Sequence, residues 1–318
     1  MTAMSRETYG GEPGRREALR RLLAGVAGVA LARDLSALEP ALALAPMLTR
    51  PIPSSGERLP VIGVGTWQTF DVGSEVRARA PLRDVLAALV REGGKVIDSS
   101  PMYGSSEEVV GDLAGELKLR SRLFVATKVW TSGRQAGIEQ MNASMRKLRA
   151  DPIDLMQVHN LLDVGTHLAT LRGWKRDGRV RYVGVTHYTA SSYDAVARVL
   201  ATEPLDSLQI NYSIGEREAE RTLLPLAAER GVAVIANRPF AGGDLFRRLR
   251  ARPLPAYAGE IGCTSWAQLM LKFIVSHPAI TCAIPGTSNV EHLLDNLAAG
   301  RGPLPDERMR ARIAAEAI

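Results

Sequence analysis

At 318 residues, with 46% hydrophobic and 23% charged side chains, the chain has the make-up of an ordinary folded protein whose core needs no covalent or metal staples. Its 40 basic and 34 acidic residues leave a net charge of +6, but the excess is spread along the chain and aromatics make up only 5%, which argues against a nucleic-acid-binding stripe. Two cysteines without CxxC or CxxH spacing, and five histidines without an HExxH pattern, exclude a disulfide framework and give no metal site.

Residues 1–46 stand apart from the rest. Arg15 and Arg16 precede an apolar run at 22–32 built largely of Ala, Gly and Val, which Arg33 and Asp34 cut short. A membrane span needs about 20 apolar residues, so no span is expected here. The layout resembles a twin-arginine export signal, with Ala18 where such signals usually carry an aromatic and with a processing site near residues 41–43. The expectation is export to the periplasm; a tail on a cytoplasmic protein is the alternative.

Residues 47–60 carry the turn signal Pro53, Ser54, Ser55 and Gly56, and predict a hairpin that plugs the bottom of a barrel. From Leu59 onward short β-rich runs alternate with longer runs of helical period. Strands are predicted at 61–65, 95–98, 123–128, 153–159, 180–185, 207–211, 232–236 and 280–284. Helices are predicted at 81–92, 106–117, 137–149, 167–176, 191–201, 218–230, 266–276 and 289–299, with a short segment at 305–317. Eight such βα units predict an α/β fold, a (β/α)8 TIM barrel over residues 47–318 with no second domain. A doubly wound sheet would need a GxGxxG turn after its first strand, and Gly63 and Gly65 supply only part of one. The densest basic run, 247–252, reads as a solvated helix face, and Cys282 as a buried strand thiol.

The chemistry-bearing side chains sit at predicted strand ends. Asp98 closes the run 95–97, Lys128 closes 123–127 and His159 closes 153–158, while Tyr103 follows Asp98 in the next loop. In a parallel barrel these ends converge on one face, where the loops carry function. A carbonyl accepts a hydride well only when its oxygen is protonated as charge develops. A phenol serves if a nearby cation lowers its pKa from about 10. Lys128 would be that cation, Asp98 would hold the ammonium, and His159 would orient the substrate oxygen toward Tyr103.

Five motifs in order carry a resemblance: Gly63-Val64-Gly65-Thr66-Trp67, Asp98-Ser99-Ser100-Pro101-Met102-Tyr103-Gly104, Ala126-Thr127-Lys128, Gln157-Val158-His159 and Ile284-Pro285-Gly286-Thr287. Together they are similar to the successive motifs of the aldo-keto reductases. The resemblance implies reversible hydride transfer between NADPH and a small-molecule aldehyde or ketone, with Tyr103 as proton donor and Asp98, Lys128 and His159 completing the tetrad. It places Gly65, Thr66 and Trp67 beside the cofactor and Thr186, His187 and Gln209 near the nicotinamide carboxamide. Thr186 and His187 stand where members commonly carry Ser and Asn, and Asn237 stands where an aromatic often stacks on the nicotinamide; Phe240 and Tyr212 are the candidates to replace it. Arg238 would contact the diphosphate. Gly286, Thr287 and Ser288 would cradle phosphate at the start of the last barrel helix, with His292, Asp295 and Asn296 toward the adenine end. Gly286 and His292 replace the Lys or Arg that grips a 2′-phosphate, which keeps NADH as an alternative. Trp67, Met102 and Trp130 are apolar candidates to line the substrate pocket. The rival functions are a cofactor-binding redox sensor with little turnover and a barrel isomerase; oligomeric state leaves no mark in the sequence.

Overall fold

The computed structural model describes residues 45–316, so the export reading falls outside the described range. Strands β1 (Thr49–Pro51) and β2 (Arg58–Pro60) form the expected antiparallel hairpin, with Thr49 opposite Pro60. Eight parallel strands come next, each hydrogen-bonded to its successor in chain order: β3 (Val64–Gly65), β4 (Val96–Asp98), β5 (Phe124–Val129), β6 (Ile153–His159), β7 (Val180–Thr186), β8 (Ser207–Asn211), β9 (Ala233–Asn237) and β10 (Ile280–Ala283). The first and last meet at a seam. There Ala283 N donates to Val61 O at 2.8 Å, Gly63 N to Ala283 O at 2.9 Å and Gly65 N to Pro285 O at 3.2 Å, which closes the barrel.

Two glycines make the seam close enough. A Cβ on Gly65 would lie 2.9 Å from Ile284 O, and one on Gly286 would lie 3.1 Å from Gly65 O. Their lack of a side chain therefore has a structural cause besides any role beside a cofactor.

The inside of the barrel is built in layers. Side chains alternate along a strand, so residues two apart share the inner face. Its lower level is apolar: Val96, Phe124, Leu155, Tyr182, Ile235 and Cys282 form one cluster with Ile52 and Leu59, which the hairpin pushes up as the expected plug. Moving up each strand by steps of two gives Asp98 on β4, Lys128 on β5, Gln157 and His159 on β6, and Gln209 on β8, all buried. The period that seals the floor thus delivers the polar groups to the mouth.

Outside lie helices α1 (Val76–Arg91), α2 (Ser106–Glu116), α3 (Arg134–Leu148), α4 (Val164–Arg176), α5 (Tyr193–Thr202), α6 (Leu223–Glu229), α7 (Asp244–Leu249), α8 (Trp266–Ser276), α9 (Val290–Ala298) and α10 (Glu307–Glu316). Their apolar stripes cover the outward-facing strand residues in a second, larger cluster. Three details differ from the sequence expectation. α1 begins at Val76 and runs through Pro81, where the sequence pattern places its start. The helix expected at 218–230 is a 3-10 turn, Glu218–Arg221, and then α6, broken at Thr222 with φ −137° and ψ −55°. The loop after β9 holds α7 and a further 3-10 turn, Ala256–Ile261, where the sequence predicts no separate element. Arg247 and Arg248 lie exposed on α7, as a solvated helix face requires.

Candidate active site

The four predicted catalytic side chains meet at the barrel mouth. Lys128 is wholly buried, and its ammonium donates at 2.6 Å to Asp98 Oδ2 and at 2.6 Å to the Ser99 carbonyl. The same nitrogen stands 4.9 Å from the centre of the Tyr103 ring. His159 meets that ring edge-on, with centroids 6.2 Å apart and planes at 85°. Asp98 Oδ1 accepts from Gln209 Nε2 at 2.8 Å and Gln157 Nε2 at 3.3 Å, so its buried charge is compensated from three sides.

The loop holding Tyr103 is fixed by its neighbours. Gly104 takes φ +56°, and a Cβ there would collide with the Asp71 carboxylate. Asp71 Oδ1 accepts from both the N–H and the hydroxyl of Ser105 at 2.8 Å. Tyr103 is left half-buried at the mouth.

The electrostatics depart from the sequence expectation in one respect. Burial is the largest influence on Tyr103 and raises its pKa; the Lys128 charge pulls it down, but the Asp98 charge pushes it up again, and the phenol ends above its ordinary value rather than below. Burial also opposes the charge of Lys128, yet Asp98 and Tyr103 together hold the ammonium pKa above its usual value. His159 is held down to about 3 by burial, with the charge of Lys128 adding to it, so its ring is neutral at physiological pH. Its Nδ1 faces Ser100 Oγ at 3.3 Å, and that oxygen already accepts from Met102 N at 3.3 Å. The arrangement favours a hydroxyl proton pointing at Nδ1 and a hydrogen on Nε2.

The cofactor candidates fall into two groups. Thr186, Gln209 and Asn237 form one network above the acid: Thr186 Oγ1 donates to Gln209 Oε1 at 3.2 Å, and Asn237 Nδ2 donates to the same oxygen at 3.4 Å and to His187 O at 3.2 Å. Gln209 thus links Asp98 to the residues expected at the carboxamide. His187 Nδ1 accepts from Tyr188 N at 3.0 Å. Arg238 lies 4.0 Å from Glu216. The second group lies at α9. Gly286 and Ser288 are exposed, Thr287 is buried, and the Asn289 side chain caps the helix by accepting from Glu291 N at 2.7 Å and His292 N at 3.1 Å. That cap occupies backbone donors which the sequence pattern leaves for phosphate. Asp295 is committed to α8, accepting from Ser265 Oγ and Gln268 Nε2 at 2.7 Å each, while Asn296 is buried and His292 exposed.

Of the two substitutes for a stacking aromatic, Tyr212 is ruled out. It is fully buried, its hydroxyl is bonded to Glu220 and at 2.8 Å to Arg310, and its ring packs on Phe273 of α8, away from the mouth. Phe240 packs against Phe246 at 4.7 Å and is half-buried. Trp67, Met102 and Trp130 are exposed, as a substrate wall would need, and Thr66 is buried with its hydroxyl donating to Ser99 Oγ at 2.9 Å. Sequence reasoning alone misses Ser99, Ser100 and Gln157 as site residues; the inward position of Gln157, two residues before His159, is the signal that could have found it.

A hollow of about 640 Å³ lies at the opposite end of the barrel, beside Glu57, Lys95, Asp154 and Arg181. Within it Arg181 bridges Glu57 and Asp154, and Lys95 pairs with Glu57, which stitches the barrel base. Among the described residues no three metal-ligating side chains gather, and no helix is long and apolar enough to cross a membrane.

Residues 61–315 match the Aldo/keto reductase family. The chain is 29% identical over 248 residues to methylglyoxal reductase YeaE of Escherichia coli (strain K12), a match covering 76% of this chain and 85% of that protein. It superposes with a TM-score of 0.66 and 25% identity on an aldo/keto reductase from Klebsiella pneumoniae solved with NADP and acetate, covering 82% of this chain and 92% of that one. The thermostable aldo-keto reductase Tm1743, solved with the inhibitor epalrestat, gives a TM-score of 0.69 and 26% identity over 86% of this chain and 100% of its own. With the barrel closed, the ion pair sealed beneath the tyrosine and the match running through nearly every described residue, the chain is a member of the aldo/keto reductase family.

Proposed function

We propose that the protein reduces aldehydes or ketones with NADPH, Tyr103 supplying the proton, and that NADH is the alternative cofactor. The observation that carries this is the buried Asp98–Lys128 pair set under the Tyr103 ring, with a neutral His159 edge-on beside it. Two solved relatives from Klebsiella pneumoniae hold NADP or NADPH, which supports the cofactor.

The mouth fits a nicotinamide. Asn237 Oδ1 and Arg238 Nε are buried without a partner among the described residues, hydrogen-bonding capacity that a carboxamide and a diphosphate would use. Thr186, His187, Gln209 and Asn237 would hold the ring end, and residues 286–289 the far end. The cofactor, when bound, supplies the hydride.

The chain's own residues do the rest. His159 offers Nε2–H to the carbonyl oxygen and, being neutral, does not compete as the acid. Tyr103, with its pKa raised, is fully protonated at neutral pH and holds its proton on Oη for the oxygen that becomes an alkoxide, a far stronger base than phenolate. Lys128 stabilises the phenolate left behind, and Asp98 keeps the ammonium charged and in place.

The test uses purified protein, fluorescence titration with NADPH and NADH, and turnover of methylglyoxal and 4-nitrobenzaldehyde. Tyr103→Phe lowers kcat by about 10²- to 10⁴-fold while NADPH Kd stays within about twofold. Equal loss of binding and turnover refutes the acid role, and tight cofactor binding without turnover of either aldehyde favours a redox sensor. Arg15 and Arg16 support a further proposal, that the enzyme is exported folded; fractionation of the expressing cell tests it.

A further inference from the structure

One buried carboxyl is unused by this scheme. Glu107, in the first turn of α2, is 1% exposed. Thr127 Oγ1 donates to its Oε1 at 2.6 Å, and Ser144 Oγ donates to its Oε2 at 3.1 Å. Burial holds its pKa above the ordinary carboxylate value, and the two hydroxyl bonds offset this only in part.

The placement ties three elements together. Thr127 directly precedes Lys128, and strand alternation turns Thr127 outward to the helices while Lys128 points into the barrel. α2 hangs from the tyrosine turn, since Ser106 N donates to Tyr103 O at 3.0 Å. Ser144 belongs to α3. An apolar side chain could fill the same volume, but it could take neither the directed bond from β5 nor the one from α3.

We propose that Glu107 is a positioning residue, fixing the phenol of Tyr103 over the ammonium of Lys128 by tying α2 to β5 through Thr127 and to α3 through Ser144. The proposal rests on the acid role of Tyr103. Glu107 acts through the distance between two other groups, so its loss should appear in the hydride-transfer step and leave cofactor binding alone.

The experiment measures single-turnover oxidation of NADPH by methylglyoxal or 4-nitrobenzaldehyde, whichever turns over faster, together with NADPH Kd by fluorescence. Thr127→Val removes the hydroxyl and keeps the shape; Thr127→Ser returns the hydroxyl; Glu107→Leu removes both acceptors. Thr127→Val and Glu107→Leu should each slow the step by about tenfold to a hundredfold, the scale expected for a misplaced reacting group, with Kd within about twofold and Thr127→Ser within about twofold of the parent. In a Tyr103→Phe background Thr127→Val should add less than about a twofold loss, because the group it positions is gone. The same proportional loss in both backgrounds, an unchanged rate for Thr127→Val, or a Thr127→Ser as slow as Thr127→Val would overturn the proposal. Tyr103→Phe with undiminished turnover would instead overturn the acid role on which it rests. If Glu107→Leu does not fold, the Thr127 series decides the matter alone.

Discussion

Replacing Lys128 by Met separates the structural from the chemical work of the ammonium. The side chains of Lys128 and Asp98 are 0% and 3% exposed and lie 2.6 Å apart, so the substitution strands a carboxylate with only the amides of Gln157 and Gln209 for company. Removing one partner of a buried pair costs about 3–5 kcal/mol, a large part of the roughly 5–15 kcal/mol that holds a typical domain together. Adding Asp98→Asn removes the stranded charge while its amide oxygen still accepts both glutamine donors. Neutral replacement of a buried ion pair is often close to free, so the double variant should return to within about 1–2 kcal/mol of the parent. Carbonyl reduction should stay lost in both, because neither restores a cation behind the phenol. Urea unfolding followed by tryptophan fluorescence, with the slope m compared across variants, measures the stabilities. A single variant destabilised by less than about 1 kcal/mol, or a double variant no more stable than the single, would refute the reasoning.

Two further outcomes concern pH. Reduction rates should be flat across neutral pH and fall only above the ordinary phenol value of about 10, because burial raises Tyr103; a decline centred near pH 7–8 in kcat/KM would contradict this. Burial lowers the His159 pKa from its ordinary 6.5 to about 3, so the unfolded chain takes this proton first, and stability should fall as pH drops from 6.5 toward 3. At about 1.36 kcal/mol per pH unit the loss reaches at most about 4–5 kcal/mol, and His159→Asn should flatten that part of the stability curve; equal slopes for parent and variant would count against a buried neutral ring.

The barrel was legible because its two periods are local: alternation by two marks strands, and stripes at helical spacing mark the helices between them. Asp98, Lys128 and His159 were legible because each ends a strand, and Tyr103 because its turn follows one. Properties set by packing were not. The sign of the Tyr103 pKa shift depends on how deeply neighbouring loops bury it, and Glu107 looks like any acidic residue in a first helical turn until Thr127 and Ser144 arrive from distant segments. The same holds for Tyr212, whose ring packs on Phe273 of α8, a residue brought in from a distant segment. Of α7 only the basic face at 247–252 shows in the sequence, because six residues, half of them charged, carry too little periodicity to bound an element.

The plug of Ile52 and Leu59 bears on how each catalytic cycle would be reset. A cylinder stoppered from below and lined with hydrocarbon offers water no rear entrance, and the ammonium of Lys128 touches no solvent. On the proposed reaction, the hydrogen that leaves the phenol must therefore be replenished from the open rim, by the half-exposed tyrosine itself. Product departure and recharging of the acid would then share a single doorway, which ties the readiness of the next turnover to how quickly the last molecule clears the entrance.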